Sequence, residues 1–119
     1  MEMDVSSLGE RLVRVRLSGR LDTQGVDRVE TRFVATLVPG ANSAIVDLSQ
    51  VDFVSSMGIR MLVSAARSLK TRQASLAVFG ARQRVNQIFE AVSLSKLLPI
   101  CSTEDEALAA VGSTPRPNA

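Results

Sequence analysis

The chain has 119 residues, 45% of them hydrophobic and 22% charged, the balance of one soluble globular domain rather than of a disordered segment or a pair of domains. Its net charge of +2 comes from 14 basic and 12 acidic residues interspersed without a run of like sign, and there is neither Trp nor Tyr. The basic stripe and stacking platforms of nucleic-acid binders are therefore missing, and no nucleic-acid partner is expected. One Cys and no His exclude an internal disulfide and any Ser–His or Cys–His pair, and they leave no usable zinc-ligand set. Neither an enzyme nor a metal- or cofactor-dependent protein is expected.

The first segments are β in character. Arg11 to Ser18 alternates, with Val13, Val15 and Leu17 on one face and Arg14 and Arg16 on the other, the period of a half-buried strand. Asp4 to Ser7 is read as a short partner strand joined through the Gly9-Glu10 turn. Gly19-Arg20-Leu21-Asp22 breaks the alternation, and Asp22 stands where a helix N-cap is wanted. Behind it Val26, Val29, Phe33 and Leu37 fall at helical spacing up to Pro39-Gly40.

The remaining elements alternate. Ala44 to Leu48 is a strand expected to be buried on both faces except at Asp47. After Val51-Asp52-Phe53-Val54-Ser55-Ser56-Met57-Gly58, a helix carries Ile59, Leu62, Val63, Ala66 and Leu69 toward the core through Lys70. Ser75 to Phe79 is the next strand. Arg82 to Val92 is a helix with Val85, Ile88, Phe89 and Val92 inward, and Leu97 to Cys101 is the last strand. Glu104 to Val111 closes as a short helix with Ala107, Leu108 and Val111 inward. Residues 1–112 thus read as a single domain, and 113–119, with two prolines and little to bury, as a disordered tail. Strand–helix alternation argues an α/β fold with a mostly parallel sheet, led by an antiparallel pair.

MEMDVSSLGE lacks the basic start and apolar block of a signal peptide, and no apolar run approaches the ~20 residues that cross a bilayer. A cytoplasmic location without membrane insertion is expected.

Ser55 and Ser56 occupy a strand-to-helix loop, where open α/β sheets place ligands and where a helix N-terminus offers free N–H groups. Ser56 capping a helix that starts at Met57 is the simplest reading. A catalytic serine has no base available, and a single glycine in VSSMGIR cannot build a phosphate-cradling loop. Covalent phosphorylation, which adds close to two negative charges, remains open. With the core stripe as assigned, Met57, Arg60, Met61, Ser64 and Arg67 lie on or near the opposite face, either as an ordinary solvated surface or as a docking patch.

These residues resemble the STAS domains, which include bacterial anti-sigma factor antagonists. The resemblance runs from about Val13 to Val111. It rests on Gly19-Arg20-Leu21-Asp22, similar to the family's G-x-L-D; on Ala44-Ile45-Val46-Asp47-Leu48-Ser49 with Val51-Asp52-Phe53; on Gly58 opening an amphipathic helix; and on Leu76 to Phe79 followed by a helix ending in Ser93-Leu94. It implies a mixed sheet of four or five strands, antiparallel at the start and parallel after it, packed with four helices. It also implies a partner switch. The unmodified antagonist binds an anti-sigma factor, often a kinase-like ATPase, and frees a sigma factor; phosphorylation ends that binding and a PP2C-type phosphatase restores it.

Carried over residue by residue, the family's Asp-Ser-Ser-Gly or Asp-Ser-Thr-Gly loop aligns on Gly58. The acceptor position before the glycine is then Met57, preceded by Ser56, with Ser55 in place of the aspartate. Methionine has no hydroxyl. The chain is therefore an unswitched binding module, or is phosphorylated at Ser56 or Ser55 instead, or belongs to another branch such as the STAS subunit of a lipid-transport ABC complex. The leading expectation is an anti-sigma factor antagonist that docks its partner through Asp22, Ser55, Ser56, Met57, Gly58, Arg60, Ser64 and Arg67.

Overall fold

The computed structural model describes residues 1–112; the expected tail at 113–119 lies outside them. The elements run β1 (Glu2–Gly9), β2 (Leu12–Leu21), α1 (Thr23–Leu37), β3 (Ser43–Val54), α2 (Ser56–Lys70), β4 (Leu76–Phe79), α3 (Gln83–Ala91), a 3-10 turn at Leu94–Lys96, β5 (Ile100–Cys101) and α4 (Glu104–Ala110). The sheet has five strands in the order β1-β2-β3-β4-β5. β1 pairs antiparallel with β2, and every later pair is parallel. The mixed α/β sheet with four helices agrees with the fold expected from the sequence.

Strand order equal to chain order fixes the layers. Each parallel crossover steps one strand in the same direction, and crossovers share one hand, so α1, α2 and α3 must lie on one face. The main core forms there, from Val13, Val15 and Leu17 of β2, Phe33 and Leu37 of α1, Leu62 and Leu69 of α2, and Val85 and Phe89 of α3. After β5 the chain turns to the other face, where Ala107 of α4 and its C-cap Val111 pack against Ile45, Ala77 and Phe79. Burial of such side chains is worth roughly 1.5–3 kcal/mol each and holds the layers together.

The two central strands are longer than the apolar runs suggest. β2 continues past Ser18 to Leu21, through register irregularities around Leu17 and between Gly19 and Arg20, with Gly19 at φ +111°. The lost alternation at Gly19 is thus a bulge in a continuing strand, not its end. β3 likewise runs on through Ser49 and Gln50, Gln50 pairing with Ser18 and Val54 with Leu21. Asp47, expected to break the burial of this strand, is 6% exposed. Its carboxylate accepts from the Ser49 N–H at 2.9 Å and from Arg16 Nε at 3.3 Å. Burial pushes its pKa up, but these donors outweigh burial and hold it below the usual carboxylate range.

Other expectations need adjustment. The last strand is Ile100–Cys101 only, because Leu94–Lys96 turn as a 3-10 helix with Leu97 as its C-cap, and Val92 is exposed beyond the end of α3. In α2 the buried residues are Gly58, Met61, Leu62, Ala65 and Leu69, while Ile59, Val63 and Ala66 are half-buried. Met61, assigned from the sequence to the outer face, is a core residue.

Candidate functional site

The carboxyl ends of β2 and β3 lie side by side, so α1 and α2 begin next to each other. At the first, Asp22 is the N-cap of α1 and its Oδ1 accepts from the Gly25 N–H at 2.9 Å. That hydrogen bond, more than the nearby Arg20 guanidinium, holds the Asp22 carboxyl below its usual pKa. Arg20 Nε reaches Asp22 Oδ2 at 3.4 Å, and its guanidinium carbon lies 4.6 Å from the centre of the Phe53 ring. This stacked cation ties the ends of β2 and β3 together at the surface.

At the second helix the cap is Ser55, not Ser56. Ser55 Oγ accepts from the Gly58 N–H at 3.2 Å and donates to the Leu21 carbonyl at 3.1 Å, which also receives the Ser55 N–H at 2.9 Å. The Ser55 hydroxyl is therefore committed in both directions. Gly58 explains the choice of cap. A Cβ on it would lie 2.7 Å from the Leu21 carbonyl oxygen and 2.8 Å from Leu21 Cγ, so only glycine lets the first turn of α2 close against the end of β2. Once Gly58 faces β2, residues three, four, seven and eleven positions on must face inward with it, which accounts for Met61, Leu62, Ala65 and Leu69.

The complementary face is open. Ser56 and Met57 are exposed, and Arg60, Ser64 and Arg67 continue the same stripe at three- and four-residue spacing. Among the described residues Arg60 and Arg67 enter no ion pair. Of the residues expected at the site, Ser56, Met57, Arg60, Ser64 and Arg67 share this surface, with Asp22 beside it across the Leu21–Ser55 hydrogen bonds. Ser55 and Gly58 lie below and shape it. A hollow of about 390 Å³ lined by Met1, Arg20, Asp22, Gln24, Gly25 and Arg28 adjoins the α1 end.

Sequence reasoning misses three contact-making residues around this site, Arg20, Phe53 and Arg82. The chain shows Arg20 only as part of a strand break and Phe53 only as part of a motif; the contact between them needs β2 and β3 in register. Arg82 likewise looks only like a helix start in the sequence, but its Nε donates to the Ser49 carbonyl at 3.0 Å and its guanidinium pairs with Asp52. It pins the loop before α3 to β3.

Among the described residues no group of His, Cys, Asp and Glu could hold a metal ion. Cys101 borders a separate hollow of about 290 Å³ beside α3 and β5. Burial, then the Glu106 charge, push its thiol pKa up, which disfavours the thiolate. No helix of the described residues is long and apolar enough to cross a membrane.

Known proteins share this fold. The STAS domain family model matches residues 8–107. An anti-sigma-B factor antagonist from Listeria monocytogenes is 28% identical over 94 residues, covering 79% of this chain and 82% of that protein. Among solved structures, the anti-sigma factor antagonist SpoIIAA in its unphosphorylated form superposes with a TM-score of 0.78 at 20% identity, covering 97% of this chain and all of that one. An anti-sigma factor antagonist from Mycobacterium paratuberculosis gives 0.80 at 24% identity, covering 94% of each chain. The family match over most of the chain, with the fold and helix-start geometry above, leads to one conclusion: this chain belongs to the STAS domain family.

Proposed function

We propose that this protein is a non-enzymatic anti-sigma factor antagonist that sequesters a kinase-like anti-sigma partner through the exposed ends of α1 and α2. The observation that carries this reading is the stripe of Ser56, Met57, Arg60, Ser64 and Arg67, solvent-facing and rigidly backed by the Gly58–Leu21 contact. The antagonist names of its relatives support it. Arg60 and Arg67, without ion-pair partners among the described residues, suit an acidic partner surface, and Met57 supplies an adaptable apolar centre.

Within this reading the phosphoacceptor is Ser56. Its side chain is exposed in the first turn of α2, where a phosphate meets the positive end of the helix. Ser55 is a poor acceptor, because phosphorylating it would remove the cap on Gly58 and the bond to Leu21. Incubation with the cognate kinase-type anti-sigma protein and ATP, followed by intact mass measurement, should show one added phosphoryl group in the wild type and none in Ser56→Ala. If the chain binds that protein but never gains a phosphoryl group, it is an unswitched antagonist. If it does not bind, the antagonist reading fails.

A further inference from the structure

The chain's four methionines occupy very different surroundings. Met3 and Met61 are 6% and 1% exposed within the main core, whereas Met57 is 38% exposed; Met1 is half-buried. Met57 also lies at the start of the exposed α2 stripe, between Ser56 and Arg60. Thioether oxidation follows access, since a buried sulfur meets an aqueous oxidant only when the structure opens.

We infer that Met57 is a reversible oxidation site, at which conversion to the sulfoxide by a peroxide gives the α2 face a covalent off-state independent of any kinase. The regulatory half of this inference rests on the docking role proposed above; the site itself does not. In the forward step a sulfur lone pair attacks one oxygen of hydrogen peroxide and the O–O bond breaks. The sulfur is oxidised by two electrons, and the peroxide is reduced to the transferred oxygen and one water. In the reverse step a thiol-dependent sulfoxide reductase returns the thioether, two thiols becoming one disulfide and the oxygen leaving as water.

The product changes the surface where it matters. A flexible apolar side chain becomes a polar, chiral one with a strong acceptor oxygen. Arg60 stands three residues on, on the same side of the helix, and its guanidinium can donate to that oxygen and be drawn away from a partner. Packing at Met3 and Met61 is untouched, so the fold persists through the change.

The test is graded hydrogen peroxide treatment of the folded full-length chain, with peptide mass mapping of each methionine over time. Met57 should gain oxygen at least tenfold faster than Met3 and Met61; equal rates would overturn the site assignment. The treated chain, Met57→Leu and Met57→Gln are then titrated against the kinase-type anti-sigma protein. Oxidised wild type and Met57→Gln should bind at least tenfold more weakly than untreated wild type. Met57→Leu, which has no thioether to oxidise, should show the same affinity before and after peroxide treatment. Full affinity of the oxidised wild type would overturn the off-state. Absence of binding by the untreated chain would instead remove the docking role and with it the off-state, leaving the oxidation site to stand or fall on the mass map.

Discussion

The starts of α1 and α2 follow one plan with different chemistry. Each has an extended N-cap residue, Asp22 at φ −99° and Ser55 at φ −90°, whose side chain accepts from the N–H of a glycine three residues on. Each glycine presses on the end of β2: a Cβ on Gly25 would lie 2.1 Å from the Arg20 carbonyl oxygen, and one on Gly58 2.7 Å from that of Leu21. The caps differ. Asp22 is charged and engaged by Arg20, whereas Ser55 is neutral and sends its own proton into the Leu21 carbonyl. The cap and the third residue are thus spent on structure at both ends, and the two residues between them, Thr23-Gln24 in one and Ser56-Met57 in the other, are left exposed. Function can vary at those positions without disturbing the scaffold.

The largest effect should come from filling the close approaches. Gly25→Ala and Gly58→Ala each press a methyl against backbone and should cost at least the roughly 1–3 kcal/mol of an overpacked core site, Gly25→Ala the more. Urea unfolding midpoints check this, and unchanged midpoints would remove the glycines from the shared plan. Next, Ser55→Ala should cost about 0.5–2 kcal/mol, the usual loss of an N-cap. Ser56→Ala should leave stability within about 0.5 kcal/mol of wild type. If thermal melting ranked the two serines the other way, Ser56 would be the cap.

A pH series separates the charged start from the neutral one. Asp22 has a lowered folded-state pKa, so its contribution is present above the ordinary carboxylate value of about 3.9 and is lost as pH falls through the folded value. The destabilisation caused by Asp22→Asn should therefore shrink on acidification below about pH 4, whereas that of Ser55→Ala should not. Asp47, also lowered, has the same sign: Asp47→Asn should flatten part of the acid limb of the wild-type stability curve.

Much of this was legible in the chain. Asp22 is identifiable as a cap because one acidic residue stands between a strand and a helical apolar repeat. Ser55 and Ser56 are equally good caps by propensity, and the choice is made by Gly58 against Leu21, a contact between residues 37 positions apart in sequence. The same contact sets the rotation of α2. Ile59, Met61, Leu62, Val63 and Ala66 are all apolar, so periodicity alone cannot say which of them face the sheet, and it puts Met61 outside although Met61 is buried. Asp47 misled for a related reason: its burial depends on the Ser49 N–H and on Arg16 from the neighbouring strand, which no local pattern displays.

The central claim, that the exposed start and outer stripe of α2 form a docking surface, is most directly tested by calorimetric titration of Met57→Asp and Arg60→Glu against the cognate kinase-type anti-sigma protein. Unchanged melting temperatures would show that both variants remain folded. Each variant should bind at least tenfold more weakly than wild type, a loss of about 1.4 kcal/mol. Wild-type affinity in both folded variants would contradict the assignment of this face.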